Sequence, residues 1–133
     1  MRVADLMHKD VSVIAPDASV AQLVQELADS HVSGLPVVDS RGHVIGVVTA
    51  TDVLQASAEN DDARARQNLF ANTTVRDIMT PNAHVIAPDA EAREAARQML
   101  YGEIKRLFVE DKGKLVGVIS QTDIAHAVGS GRL

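Results

Sequence analysis

The chain repeats much of its own sequence, and this duplication constrains its fold more than any other feature. Residues 3–20, VADLMHKDVSVIAPDASV, return at 75–92 as VRDIMTPNAHVIAPDAEA, with VIAPDA identical in both copies. A second block, LPVVDSRGHVIGVVTATDVLQA, returns as LFVEDKGKLVGVISQTDIAHA. Repeated segments indicate one supersecondary unit that packs against its copy. We therefore predict two half-domains, residues 1–58 and 74–133, that form one module and are joined by a linker at 59–73.

Each copy has the pattern of a mixed α/β (α+β) unit with the order β-α-β-β-α, preceded by a short helical turn. In the first copy, an amphipathic helix is predicted to begin at Ser19, because apolar residues follow at helical spacing. Gly42 lies in a predicted hairpin turn and is expected to have a positive φ. The aliphatic run VIGVV predicts a strand buried on both faces. The linker is expected to be partly helical.

Two copies of about 50 residues are each too small to be comfortably stable alone. We expect them to pack about a pseudo-two-fold axis, which would create clefts at their junction. Concave junctions of this kind commonly bind small ligands.

Composition excludes several classes of function. The net charge of −5 disfavours binding to nucleic acid, which needs a basic surface. The absence of cysteine excludes disulfides and thiolate catalysis. There is no secretory signal and no apolar run of the roughly 20 residues that cross a bilayer, so we expect a soluble cytoplasmic protein that does not bind membranes.

Catalytic and metal-binding patterns are missing as well. The histidines at 8, 31, 43, 84 and 126 share no ligand spacing and are interpreted as surface or turn residues. No nucleophile is paired with a base, and no phosphate-binding Walker loop is present. The sequence thus predicts no enzyme activity, no metal and no cofactor.

Two related stretches, GVVTATD at 46–52 and GVISQTD at 117–123, allow two interpretations. In the first, Asp52 and Asp123 only complete a capping box with Thr49 and Ser120 at helix N-termini, as expected also for the segment TVRD at 74–77. In the second, each carboxylate also accepts hydrogen bonds from a ribose diol, while nearby amides face a phosphate. Capping and binding are compatible, because a carboxylate has several acceptor positions.

The repeated pattern SGLPVVD…VIGVVTATD resembles the tandem CBS domain pair, also called a Bateman module, and the likeness covers nearly the whole chain. The resemblance implies two CBS repeats that bind an adenosyl ligand such as AMP, ADP, ATP or S-adenosylmethionine. It also implies a homodimer and regulation of an unknown partner protein. Usually such a pair adjoins the enzyme or transporter that it regulates, whereas here it would stand alone.

The same resemblance implies which residues contact the ligand. Extended pieces and loops would flank the adenine, and the hydroxyl-x-x-Asp motifs would hold the sugar and phosphate. Each aliphatic residue taken singly is equally well explained by packing. The candidate residues are Val13, Ile14, Ala15, Pro16, Ser33, Gly34, Leu35, Pro36, Thr49, Thr51, Asp52, Val85, Ile86, Ala87, Pro88, Lys105, Arg106, Leu107, Phe108, Ser120, Thr122 and Asp123.

The two candidate sites are not expected to be equivalent. Lys105 and Arg106 replace Ser33 and Gly34, and a basic pair could bind a phosphate or simply be solvated at a strand edge. Phe108 departs from the family's usual proline. The sequence therefore predicts a stand-alone regulatory module for an AMP, ADP or ATP type of ligand. The alternatives are a ligand-free structural dimer, an S-adenosylmethionine sensor and, from a different class, a nucleotide-hydrolysing enzyme.

Overall fold

The computed structural model describes residues 1–59 and 62–133, which fall into two compact units. The first-repeat unit comprises Ser12–Ala83, and the second-repeat unit comprises Met1–Val11 together with His84–Leu133. Each unit contains one three-stranded sheet within the described residues. Mixed helices and sheets confirm the predicted fold class.

The first-repeat unit has a sheet in the order β1-β2-β3 with antiparallel neighbours. Helices α1 and α2 flank the β1–β2 hairpin along the chain, and α3 and α4 follow them before the last strand. The elements are α1 (Val20–Ser30), β1 (Gly34–Val38), β2 (Val44–Thr49), α2 (Ala50–Ala58), α3 (Ala63–Asn72), α4 (Val75–Ile78) and β3 (Thr80–Pro81).

The second-repeat unit has a sheet in the order β4-β5-β6, in which β4 and β5 are parallel and β5 and β6 antiparallel. A 3-10 turn from the start of the chain completes it. The elements are the turn (Val3–Asp5), β4 (Val85–Ile86), α5 (Ala92–Gly102), β5 (Arg106–Asp111), β6 (Lys114–Ser120) and α6 (Gln121–Gly129).

Each unit takes a short helical turn from the start of the other repeat. In the second-repeat unit, the amides of Val3 and Ala4 donate to the carbonyls of Ala90 and Pro88, both at 2.9 Å. In the first-repeat unit, the amide of Val75 donates to the carbonyl of Ala18 at 2.8 Å. The two copies of this segment therefore make equivalent hydrogen bonds. The boundaries between the compact units, however, lie inside the repeats and not in the linker that joins them.

Helix α1 confirms the predicted capping and amphipathic pattern. The Ser19 hydroxyl accepts from the Gln22 amide at 3.1 Å, and the Gln22 side chain accepts from the Ser19 amide at 2.8 Å. Its apolar stripe buries Val20, Leu23 and Leu27. Such reciprocal bonds satisfy amides that have no partner inside the helix.

Three details differ from or refine the sequence prediction. The extended piece of the first repeat is only an isolated bridge between Ile14 and Val37, whereas its counterpart forms the strand β4. In β2, buried residues alternate with partly exposed ones such as Ile45 and Val47, so the prediction of burial on both faces was wrong for this strand. An antiparallel hairpin covered by helices on one face needs only that face to be apolar.

The linker is helical over Ala63–Asn72, and its residues 60 and 61 lie outside the described part.

The turn of the first hairpin has the predicted geometry, with Gly42 at a φ of 85°. Its carboxylate Asp39 accepts from the amides of Arg41 and His43 at 2.9 and 3.0 Å. These bonds, above all the one from His43, lower the pKa of Asp39 because they stabilise its charged form.

Each unit has its own hydrophobic core of aliphatic side chains. Val20, Leu23, Leu35 and Val48 are central to the first-repeat unit. The second-repeat unit packs its side chains around Met99, Leu107 and Ile119, together with Val3 from its helical turn. No helix within residues 1–59 or 62–133 has the length and apolar character needed to cross a membrane.

Candidate functional site

In the first-repeat unit, the candidate carboxylate Asp52 lies in the first turn of α2, directly after strand β2. Its Oδ2 accepts from the Thr49 amide at 2.8 Å and from the Thr49 hydroxyl at 3.2 Å. The Thr49 hydroxyl in turn accepts from the Asp52 amide at 3.3 Å. The capping interpretation is therefore confirmed, and the Oδ1 atom of Asp52 has no hydrogen-bond partner among the described residues.

In the second-repeat unit, Asp123 has the same place in α6 but a different set of partners. Its Oδ2 accepts from the Ser120 amide at 2.8 Å, and the Ser120 hydroxyl accepts from the Asp123 amide at 3.2 Å. Its Oδ1 lies 2.7 Å from Nε2 of His8. The side chain of Asp123 is 14% exposed, so it is neither sealed in the core nor free in solvent.

The predicted loops lie beside these motifs because β1–β2 and β5–β6 are hairpins. Gly34 lies opposite Thr49, and the Ser33 carbonyl accepts from the Ala50 amide at 2.8 Å. In the second-repeat unit, Arg106 lies opposite Ser120. The Lys105 carbonyl accepts from the amide of Gln121 at 2.9 Å. Each unit thus brings one predicted loop to one predicted motif.

The extended pieces are attached to the same hairpins. Val85 and Ile86 lie opposite Phe108 and Val109 in the parallel pair β4–β5. In the first-repeat unit, Ile14 takes the corresponding place through its bridge to Val37. The extended piece of each repeat is therefore attached to the hairpin that carries the other candidate residues of that repeat.

Burial separates the candidate residues into two groups. Nine of them have exposed side chains, among them the basic pair, which forms no ion pair within residues 1–59 and 62–133. Another group is buried and can shape a site only through packing or through its backbone. The exposed residues are Val13, Ala15, Ser33, Thr51, Val85, Ala87, Lys105, Arg106 and Thr122, and the buried ones are Ile14, Leu35, Pro36, Ile86, Leu107 and Phe108.

The remaining candidates are half-buried, which places them at the boundary between core and surface. They include both carboxylates and both capping hydroxyls. This group consists of Pro16, Gly34, Thr49, Asp52, Pro88, Ser120 and Asp123.

The glycines that open the two motifs are required by the fold of the chain itself. A Cβ atom at Gly46 would lie 2.6 Å from the Thr80 carbonyl oxygen and 2.8 Å from the Met79 sulfur. At Gly117 it would lie 2.7 Å from the carbonyl oxygen of His8. These glycines permit the close approach of another backbone, and in each unit that backbone belongs to the segment at the start of the other repeat.

His8 makes a contact with Asp123 that the sequence analysis missed. It was interpreted as a surface residue, and its side chain is indeed 72% exposed. Its backbone forms a bridge with Val118 in β6, and this pairing places the imidazole beside Asp123 at the start of α6. The residue at the equivalent place beside β2 is Thr80, so only one of the two carboxylates has a histidine partner.

His8 and Asp123 line an open cleft of about 650 Å³ in the second-repeat unit. Asp5, Thr122, His126 and Arg132 also line this cleft. Within residues 1–59 and 62–133, no group of three or more metal-ligating side chains could hold a metal ion.

Comparisons with known proteins identify the family. The sequence profile of the CBS domain matches residues 3–59 and 75–130. The curated relatives include protein MJ1225 of Methanocaldococcus jannaschii, which is 27% identical over 128 residues. That match covers 96% of this chain but only 43% of MJ1225. An inosine-5′-monophosphate dehydrogenase of the same organism is 31% identical over 121 residues, which are 90% of this chain and 22% of the enzyme.

Solved structures show the same fold. CBSX2 in complex with AMP is 30% identical and has a TM-score of 0.79, with 99% of this chain and 98% of that chain covered. CBSX2 of Arabidopsis thaliana is described as a CBS-pair protein. The CBS domain pair of protein MJ0100, in complex with 5′-methylthioadenosine and S-adenosyl-L-methionine, is 25% identical with a TM-score of 0.74, covering 97% of this chain and all of that one.

The duplicated sequence, the duplicated strand-to-helix junctions and the two profile matches agree with one another. This chain belongs to the CBS domain family and carries two CBS domains in tandem.

Proposed function

We propose that this chain is a regulatory CBS pair that binds an adenosyl ligand of the AMP, ADP or ATP type and signals to a partner protein by a conformational change. The observation that carries the proposal is the pair of half-buried carboxylates, Asp52 and Asp123, each held at a strand-to-helix junction. Each has one oxygen engaged by its own N-cap residue. The Oδ1 atom of Asp52 has no hydrogen-bond partner among the described residues, and that of Asp123 contacts only His8 among them, so each retains acceptor capacity for a sugar hydroxyl.

The surroundings of the carboxylates support the same class of ligand. Exposed hydroxyl residues, Thr51 and Thr122, precede the two carboxylates, and amides at a helix N-terminus favour an anion such as phosphate. Lys105 and Arg106 add positive charge beside Ser120. CBSX2, a relative of similar length, has been solved with AMP bound.

S-adenosylmethionine is a second candidate ligand, because the MJ0100 pair has been solved with that molecule and 5′-methylthioadenosine. It also contains an adenosyl diol, which is the part that Asp52 and Asp123 would bind. Unlike ATP it carries no phosphate, only one carboxylate together with a sulfonium and an ammonium group, so it would gain less than ATP from Lys105 and Arg106. A preference between the two ligands is therefore expected to respond to charge reversal at these two positions.

Binding of a ligand can regulate a partner only if it favours one conformation of the protein over another. A ligand that contacts the N-terminus of α2 or α6 would stabilise the junction between strand and helix. We propose that this change is transmitted to a partner protein and that the chain itself catalyses no reaction.

The proposal is tested by calorimetry and thermal unfolding with AMP, ADP, ATP, S-adenosylmethionine and 5′-methylthioadenosine. We expect at least one to raise the unfolding temperature of the wild-type chain and not that of the double variant Asp52→Ala/Asp123→Ala. The chain has one tyrosine and no tryptophan, so a co-purified adenine would also dominate the ultraviolet spectrum. A clean spectrum together with no binding would favour a structural dimer, and ATP turnover lost in the double variant would favour an enzyme.

A further inference from the structure

The two candidate carboxylates differ in what surrounds their second oxygen. Oδ1 of Asp123 is bonded to the imidazole of His8 at 2.7 Å, whereas Oδ1 of Asp52 has no hydrogen-bond partner among the described residues. Hydrogen bonds position both partners of the contact between His8 and Asp123. The Asp123 side chain is fixed by the Ser120 amide, and the backbone of His8 exchanges hydrogen bonds with Val118 at 2.8 and 2.9 Å.

A sugar diol that binds Asp123 must use the oxygen that His8 already engages or share the one that Ser120 engages. A carboxylate oxygen accepts about two hydrogen bonds, so each bond from the protein removes one place for a ligand hydroxyl. At Asp52 the ligand meets an oxygen with both places open. The protein partner therefore competes with the ligand at one site and not at the other.

We propose that His8 is an affinity-determining residue of the Asp123 site, where its imidazole competes with the sugar hydroxyls of the ligand for Oδ1. This inference rests on the proposed function. Competition from His8 would make the affinity of the Asp123 site for the ligand lower than that of the Asp52 site. The difference arises from residues 1–11, which begin the first repeat in sequence but belong to the second-repeat unit.

The matched variant is His8→Thr, because Thr80 occupies the equivalent position beside β2. Thr80 pairs there with Val47 through its backbone, so a threonine at position 8 is expected to keep the backbone bridge to Val118. The probe is adenosine, which carries the diol but no phosphate. Site-resolved NMR titration follows the amides of Gln121 and Ala50, one in each unit. The control His126→Ala removes a histidine that lines the same cleft and makes no hydrogen bond or ion pair with Asp123 among the described residues.

We expect His8→Thr to tighten adenosine binding at the Asp123 site by about three- to tenfold, since His8 is largely exposed and its bond is partly screened by water. Neither the Asp52 site nor the His126→Ala variant should show this gain. Equal affinities of wild type and His8→Thr, in a protein that binds adenosine, would overturn this inference and leave the proposed function intact.

A second measurement needs no ligand. In the free protein, the carboxyl carbon resonance of Asp123 should differ between wild type and His8→Thr, because the substitution removes the imidazole from Oδ1. An Asp123 carboxyl resonance that is the same in both proteins would overturn the inference even if nucleotides bind. Absence of binding by every adenosyl ligand would instead overturn the proposed function, and this inference with it.

Discussion

At the scale of single residues, Asp52 and Asp123 combine two roles that their sequence motif could not separate. Each completes a capping box at a helix N-terminus, and each keeps a half-buried carboxylate at a strand end. The segment Thr74–Asp77 has the same spacing, and there the Asp77 carboxylate accepts from the Thr74 amide and hydroxyl at 3.1 and 3.0 Å. It lacks a long strand in front of it, which makes it an internal control for capping alone.

We expect Asp123→Ala to weaken binding of the adenosyl ligand at its site by about ten- to a hundredfold, because it removes hydrogen bonds to a charged acceptor. Thr74→Ala should instead lower the free energy of unfolding by about 0.5–2 kcal/mol and leave affinity unchanged. Isothermal titration calorimetry of both variants checks the first effect, and urea unfolding checks the second. An equal loss of affinity in the two variants would contradict a direct role for Asp123.

Gly46 is a residue at which packing, rather than backbone conformation, excludes any side chain. Gly46→Ala should lower the free energy of unfolding by about 1–3 kcal/mol, since the new methyl group would overlap the Thr80 carbonyl and the Met79 sulfur. The matched control is Gly129→Ala at the end of α6, where no atom lies within 4 Å of the added Cβ. That variant should be neutral or stabilised by up to about 1 kcal/mol, and chemical denaturation compares the two.

At the scale of elements, α1 and α5 are equivalent helices of the two repeats that begin in different ways. Helix α1 is capped by the Ser19 side chain, whereas the equivalent residue of α5, Glu91, makes no capping bond. Both helices are 11 residues long and bury one apolar stripe. Tertiary packing therefore maintains α5 without the local signal that α1 has.

Ser19→Ala is expected to lower the free energy of unfolding by about 1 kcal/mol, because an amide at the start of α1 loses its acceptor. Glu91→Ala should cost less than about 0.5 kcal/mol, since Glu91 makes only an exposed ion pair with the N-terminal amine. Urea denaturation of both variants provides the comparison. A larger loss for Glu91→Ala would show that its charge near the helix N-terminus matters more than the Ser19 cap.

At the scale of the whole molecule, exposed apolar residues remain on the surface of the second-repeat unit. Leu100 is 73% exposed and Tyr101 is 85% exposed, next to each other near the end of α5. Large exposed apolar groups often mark an interface with another protein. We propose that this part of α5 contributes to a homodimer.

Leu100→Lys is expected to convert a dimer to a monomer, because a buried charge without a partner is costly at an interface. Gln98→Lys on the same helix is the control, as Gln98 is already polar and exposed. Sedimentation velocity distinguishes the two species. A wild-type chain that sediments as a monomer would contradict the proposed dimer and leave the ligand proposal unaffected.

The sequence by itself determined the duplicated architecture, most helix and strand positions and the caps of α1, α2, α4 and α6. These features are local, because periodic apolar residues, capping pairs and turn glycines act within a few positions of one another. The resemblance also named the candidate residues, which the structure places side by side within each unit. It could not tell the buried candidates, such as Leu107 and Phe108, from the exposed ones.

Only the tertiary structure decided which distant segments meet. Residues 1–11 join the second repeat and residues 75–83 join the first, and this exchange brings His8 to Asp123 and Thr80 to the β2 strand. Backbone hydrogen bonds and the close approach at Gly46 and Gly117 hold these segments in place. Such contacts join positions that are far apart in sequence, 115 residues for His8 and Asp123. No local pattern in the sequence encodes them, and the difference between the two carboxylate sites follows from them.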